Sequence, residues 1–242
     1  MSHYTIQPLQ IGTIQRPKSN MYYKCPVSTV IDFPLISYYL ENADHKIIVD
    51  TGGSSPEGSK FAPYTRTKEQ ELDQALAKIG VDPKDIDIVI LTHLHWDHSG
   101  NNRLFPNARF ICQRKEYEYL LDPATDHRGY EVENVMKTTY ELVDGDCEIV
   151  NGISVVLTPG HTVGLQCVVV GTTAGKYILS NDLVTLFECW ETKPRIPNAA
   201  NYDVGVIFDS LEKIERISDL ILPGHDSDVF TRQEVYPYGR SK

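Results

Sequence analysis

The stretch Leu91–Gly100, "LTHLHWDHSG", places three histidines and an aspartate within six positions, from His93 to His98. It continues "DIDIVI", residues 85–90, which first alternates polar with apolar and then runs apolar, as a strand does. Side chains alternate along an extended segment, so His93 and His95 point the same way and can share one ion. Asp97 and His98 point apart from that pair and suit a second ion. Imidazole and carboxylate donors favour zinc, with manganese, iron or cobalt as alternatives, over soft copper sites. No cysteine stands at any of these positions. A lone histidine is ordinarily a surface residue or a hydrogen-bonded core residue. Here five of the eight histidines sit in this stretch or at later strand ends, while His3, His45 and His127 lie in ordinary polar contexts.

Further along the chain the same arrangement recurs. "VVLTPGH" ends in His161, "YILSND" in Asp182 and "LILPGH" in His225, while "IIVD" ends earlier in Asp50. Each is an apolar strand followed at once by a metal-capable side chain. If these strand ends gather at one edge, rigid strands hold the ligands, as a precise metal site requires. His161 and His225 can then complete the two ions' ligand sets. Asp182 can bridge, because a carboxylate has two oxygens.

Between these ends, "PLISYYLEN" (34–42) and "KIIVDTGG" (46–53) read as a hairpin closed by "ADH". "TKEQELDQALAKIG" (67–80) reads as a helix with a Thr67/Gln70 capping box, an apolar stripe of Leu72, Leu76 and Ile79, and Gly80 as its stop. "NARFICQ" (107–113), "GISVVLTPGH" (152–161), "GKYILSND" (175–182) and "DLILPGH" (219–225) read as strands. "RKEYEYLL" (114–121) and "FDSLEKIERI" (208–217) read as helices, the latter capped by Asp209 or Ser210, with Leu211, Ile214 and Ile217 facing the core. Residues 122–140 and 184–203 lack periodicity, and loops that long are usually functional. No linker divides the chain, so residues 1–242 are expected to form a single domain, a sheet sandwich covered by helices.

The totals bound the partners. The net charge of −10 argues against nucleic acid and anionic membranes. No apolar run approaches the roughly 20 residues that span a bilayer. "MSHYTIQPLQIG" carries no secretory pattern, and the five scattered cysteines form no CxxC pair. A reduced, cytoplasmic setting is the expectation. The tyrosine-rich N-terminal stretch makes a homodimer an expectation to be tested.

"THLHWDH", followed in order by "TPGH", "SND" and "LPGH", resembles the metallo-β-lactamase superfamily, and the likeness runs from "YYLENADHKIIVDTGG" to "LPGHD". Within it the chain is most similar to the N-acyl homoserine lactonase group, through "FPLISYYLEN", "VDTGG" and "SGNNRLFPNARFICQRKEYE". The resemblance implies an α/β fold, a four-layer αβ/βα sandwich of two mixed sheets flanked by helices, with a dinuclear site at one edge. It assigns His93, His95 and His161 to one metal, Asp97, His98 and His225 to the other, and Asp182 to the bridge. It also implies a hydrolase in which a hydroxide between two ions opens a lactone, a quorum-quenching chemistry on a small-molecule substrate. Asp97 can take or pass a proton, and Asp50 is read as hydrogen-bonding a ligand histidine.

One departure stands out. The lactonase group commonly carries a tyrosine three residues after the bridging aspartate, where this chain has Thr185. The shorter Thr185 hydroxyl can still donate a hydrogen bond, or Tyr22 or Tyr23 can replace it. Trp96 reads as a packing wall. Met21, Tyr22, Tyr23, Phe187 and Trp190 read as candidates for an apolar substrate wall.

Competing readings are weaker. A major β-lactamase subclass would have cysteine where Asp182 stands. Glyoxalase-II-like thioesterases share the ligands but add a helical extension, for which the sequence stops too soon after His225. Cyclic amide hydrolysis stays open as an alternative. A non-enzymatic metal-binding member is disfavoured by the intact ligand set.

Overall fold

Ile88, Val89, Ile90 and Leu91 divide alternately between two different packing layers, and that alternation defines the architecture. Ile88 and Ile90 pack with Val155, Val168, Val170 and Leu222, whereas Val89 and Leu91 pack with Leu72, Leu76 and Leu120. The computed structural model describes residues 2–27, 29–56, 61, 63–218 and 220–232. Seven strands form one sheet: β1 (Thr5–Pro17), β2 (Val30–Glu41), β3 (Lys46–Val49), β4 (Tyr64–Thr65), β5 (Ile88–Ile90), β6 (Arg109–Gln113) and β7 (Tyr140–Val143). Five form the other: β8 (Cys147–Val150), β9 (Ile153–Leu157), β10 (Gln166–Thr172), β11 (Gly175–Asn181) and β12 (Leu220–Pro223). The orders are β4-β1-β2-β3-β5-β6-β7 and β12-β11-β10-β9-β8.

The helices are α1 (Leu72–Lys78), α2 (Trp96–Ser99), α3 (Arg114–Leu121), α4 (Val132–Val135), α5 (Phe187–Glu191) and α6 (Val204–Glu215). Three apolar clusters fill three interlayer spaces. One lies between α1, α3 and the first sheet, and one lies between the sheets. The third joins the second sheet to α6 through Cys167, Val169, Ile178, Ile207, Leu211 and Ile214. Three such spaces make four layers, the mixed-sheet sandwich expected from the sequence.

Strand direction then decides where the site lies. β3, β5, β6 and β7 run parallel, so the residues after β3 and β5 emerge at one edge. β9 and β11 are each antiparallel to β10, and β11 is parallel to β12, so β9, β11 and β12 also end together. Asp50, His93, His161, Asp182 and His225 follow those five ends. The Tyr38 hydroxyl donates to the Pro223 carbonyl (2.6 Å), tying the first sheet to the end of β12.

The hairpin forms as expected: β2 pairs antiparallel with β3, and the Asn42 side chain accepts the Asp44 and His45 N–H groups (both 2.8 Å). The 67–80 helix is shorter than expected. Lys68–Gln70 is a 3₁₀ turn, in which the Gln70 side chain accepts the Thr67 N–H (3.0 Å), and Ile79 lies exposed beyond the end of α1. The long helix near the C-terminus begins at Val204, not near Asp209. Its cap is Asp203, whose carboxylate accepts Gly205 and Val206 N–H (2.8 and 3.2 Å), while Ser210 donates to the Pro159 carbonyl (2.8 Å). Strand β1 was unforeseen because Pro8, Gly12 and Pro17 interrupt it; a register shift between Gln10 and Gly12 absorbs the irregularity. Asp219, where the last strand was expected to begin, and residues 233–242 lie outside the described residues. Among the described residues no helix is long and apolar enough to cross a membrane.

Candidate metal centre

Asp50 organises the edge. It follows β3 with a left-handed backbone (φ 61°), a conformation that aspartate tolerates better than most residues. Its fully buried carboxylate accepts the Thr92 N–H and hydroxyl (2.7 Å each), His98 Nδ1–H (2.7 Å) and the Asn181 amide. Three of the four donors meet Oδ2 and one meets Oδ1, and His98 is held with Nε2 facing inward. Asp50 thus hydrogen-bonds His98, one of the histidines expected as ligands. It also shows two partners that were not read, Thr92 and Asn181.

The extended path ends at His95. Trp96–Ser99 forms one helical turn, so Asp97 and His98 leave a helix, not a strand. Gly100 lets that turn approach the 52–54 backbone: a Cβ there would lie 2.2 Å from the Ser54 nitrogen. Trp96 turns away and stacks on Phe61 (centroids 5.1 Å apart, planes 3° apart), with Tyr64 edge-on at 5.3 Å.

The carbonyl partners fix how the other imidazoles point. His161 Nδ1 meets the Ala200 carbonyl at 2.6 Å, and His225 Nδ1 meets the Pro34 carbonyl at 3.0 Å. A carbonyl only accepts, so each Nδ1 carries a hydrogen and each Nε2 is turned into the site, where loss of any proton on it would free a lone pair for a metal. His93 follows the same logic. Thr92 gives its hydroxyl hydrogen to Asp50, so its oxygen accepts from His93 Nδ1 at 3.2 Å. His93 Nε2 and His98 Nε2 are buried with no hydrogen-bond partner. Buried polar nitrogens left open in this way fit a cation.

These tips converge. Ligand atoms of His93, His95 and His161 lie within 4.8 Å of one another, as do those of His93, His98 and Asp182, and those of Asp97, His98 and His225. Asp182 spans the groups: Oδ1 lies 3.0 Å from His225 Nε2 and 3.2 Å from His98 Nε2, and Oδ2 lies 3.2 Å from His161 Nε2. All seven residues expected as ligands meet here, and the donor set suits a dinuclear divalent-metal site.

The electrostatics separate the imidazoles. Burial first, and then the neighbouring imidazoles, hold His93 and His95 well below the usual histidine range, which keeps them neutral. Burial would also lower His98, but Asp50 and Asp182 outweigh it and hold His98 well above that range. His225 is likewise raised against burial by Asp182. Burial alone would raise Asp182; His225, His98 and His161 instead hold it well below the ordinary carboxylate range.

Of the two expected substrate contacts, Thr185 is turned inward. Thr185 is fully buried and donates its hydroxyl hydrogen to the Met21 carbonyl (2.8 Å). That proton is committed inside the protein, so the expected donation from Thr185 to a substrate is corrected. Tyr23 is half-buried, and its N–H donates to the Pro197 carbonyl (3.1 Å). It thereby adjoins the segment in which Asn198 donates to the Asp182 carbonyl (2.7 Å) and Ala200 holds His161. Phe187 and Trp190 line a different cavity of about 710 Å³ with Tyr177, Glu215 and Arg232, which contains none of the seven converging residues.

Glu116 went unread, although it is fully buried on α3. Its carboxylate accepts Leu94 N–H (3.2 Å), Tyr130 hydroxyl (2.9 Å) and Gly164 N–H (3.0 Å). The Tyr130 ring packs edge-on against His95 at 4.7 Å. Glu116 thus ties the residue between His93 and His95 to the turn after His161. In sequence it looks like one more surface charge on an amphipathic helix.

With the fold and the cluster in view, comparison with known proteins gives the class. The chain belongs to the metallo-beta-lactamase superfamily, whose pattern matches residues 34–227. It is similar to the N-acyl homoserine lactonase AiiA of Bacillus thuringiensis subsp. kurstaki, 29% identical over 228 residues, covering 86% of this chain and 87% of that protein. A crystal structure of a B. thuringiensis AiiA variant with N-decanoyl-L-homoserine at its active site superposes with a TM-score of 0.84 and 26% identity, over 98% of this chain and 99% of that one. An N-acyl homoserine lactone hydrolase with its product N-hexanoyl-L-homoserine bound at the catalytic metal centre matches equally well (TM-score 0.84, 26% identity, 98% and 99% coverage).

Proposed function

We propose that this protein is a metal-dependent hydrolase that opens a lactone ring, with an N-acyl homoserine lactone or a similar cyclic ester as its substrate. The observation that carries this reading is the convergence of seven imidazole and carboxylate groups at one sheet edge, two of their nitrogens buried without hydrogen-bond partners. The likeness to lactonases over most of the chain supplies the substrate class.

His93, His95 and His161 would hold one divalent ion and Asp97, His98 and His225 a second, with Asp182 between them. Zinc suits this donor set best. Two such ions, when bound, acidify water and polarise an ester carbonyl. The chain's own residues do the rest. Asp50, Ala200 and Pro34 keep the imidazoles aimed, so little reorganisation accompanies turnover. Asp97, in the first turn of α2 with its carboxylate beside the His98 and His225 imidazoles, takes or passes a proton as the ring opens. Tyr23 takes the place of Thr185 as the donor to the substrate carbonyl.

The test is proton release on a panel of lactones, thioesters and β-lactams. Lactone turnover that drops at least about a hundredfold in Asp97→Ala is the expected outcome. A wild type that hydrolyses thioesters and leaves every lactone intact would sink the proposal.

A further inference from the structure

Among the described residues no carboxylate answers the charge of Arg16. On β1, Ile14 lies opposite Tyr64 of β4, and Gln15 N–H donates to the Pro63 carbonyl (3.0 Å). Ile14 is buried in one cluster with Tyr64 and Trp96, Gln15 is exposed, and Arg16 returns to the face of Ile14. The aromatic group on that face, Phe61, Tyr64 and Trp96, adjoins His95 along the chain. β1 runs antiparallel to β2 and β2 antiparallel to β3, so the end of β1 that carries Arg16 emerges at the same edge as the end of β3, where Asp50 lies.

Arg109, Arg114, Arg128 and Arg195 each hold a carboxylate. Arg16 is half-buried, its Nε is buried without a hydrogen-bond partner, and among the described residues no carboxylate pairs with it. Leaving a buried guanidinium nitrogen without a partner is costly. Its planar fork fits a carboxylate better than any other common group.

We propose that Arg16 binds a carboxylate on the substrate, remote from the ester being opened, so that the preferred lactone is an anion. The proposal rests on the lactonase reading and adds to it the charge of the substrate.

Two lactones alike except at one substituent test it: 5-oxotetrahydrofuran-2-carboxylate and its carboxamide. The ratio of their kcat/KM values, acid over amide, should fall about tenfold or more in Arg16→Gln and Arg16→Leu, with Arg16→Lys intermediate. Calorimetry on chelator-stripped protein supplies a readout independent of turnover. Tetrahydrofuran-2-carboxylate should bind the wild type about tenfold or more tighter than Arg16→Leu, with circular dichroism confirming the fold of each variant. An unchanged ratio, or equal losses on both lactones, overturns the proposal while leaving the lactonase reading intact. A wild type that opens neither lactone, yet binds the carboxylate through Arg16, sinks the lactonase reading and keeps the anion subsite.

Discussion

At the scale of single residues, the site is held by partners that the ligand-like side chains do not themselves advertise. Asp50→Ala would leave the Thr92 hydroxyl, His98 Nδ1 and the Asn181 amide without their acceptor. Loss of such a supporting carboxylate typically weakens metal binding about 10- to 100-fold. Competition with a chromophoric chelator should show that loss while far-ultraviolet circular dichroism stays native. Glu116→Leu removes the acceptor of three buried donors. Urea unfolding should give a loss of at least about 3 kcal/mol, since each orphaned buried donor costs about 1–3 kcal/mol. These two acidic residues show the limit of local reading. Asp50 could be read because it ends an apolar strand just as the histidines do. Glu116 could not, because only tertiary packing turns its side chain away from water.

At the scale of elements, strand ends were legible and irregular starts were not. β3, β5, β11 and β12 are short apolar runs, and their periodicity alone places His93, Asp182 and His225. β1 hides behind Pro8 and Gly12, and α6 hides its start behind Gly205, a poor helix former that follows an effective cap. Asp203→Ala should therefore cost about 1 kcal/mol in the urea midpoint analysis, whereas Asp209→Ala, which removes no cap, should change it far less. The reading of residues 91–98 as one extended segment missed the turn at Trp96. A four-residue helix is too short to leave a periodic signature. Gly100→Ala probes that turn: its methyl group would strike the Ser54 backbone, and soluble yield and melting temperature should both fall.

For the whole molecule, the four layers predict which thiols stay silent. Cys112 lies between the first sheet and its helices, and Cys167 and Cys189 lie on the α6 side of the second sheet. Burial pushes the Cys167 thiol up to about 12 and the Cys189 thiol up to about 11, and holds Cys112 well above the usual range. A raised thiol pKa means less thiolate at a given pH, so at pH 8 all three are protonated as well as buried. A chromogenic disulfide reagent should modify Cys25 and Cys147, both half-buried, in the native protein, and the other three only after denaturation. The layer order itself was legible, because continuous apolar runs demand cover on both faces. The substrate was not: Tyr23 and the residues beside His161 stand in irregular segments, where sequence periodicity fails.

On the proposed function, lactone opening depends on two ions held at this sheet edge. Stripped protein titrated with Zn²⁺, with bound metal and N-hexanoyl homoserine lactone turnover read on the same samples, tests it directly. Turnover should rise with loading and level off at two ions per chain, and Asp182→Ala should lose both the second ion and the activity. Full turnover by metal-free protein, or two firmly bound ions with no lactone opened, would contradict the account.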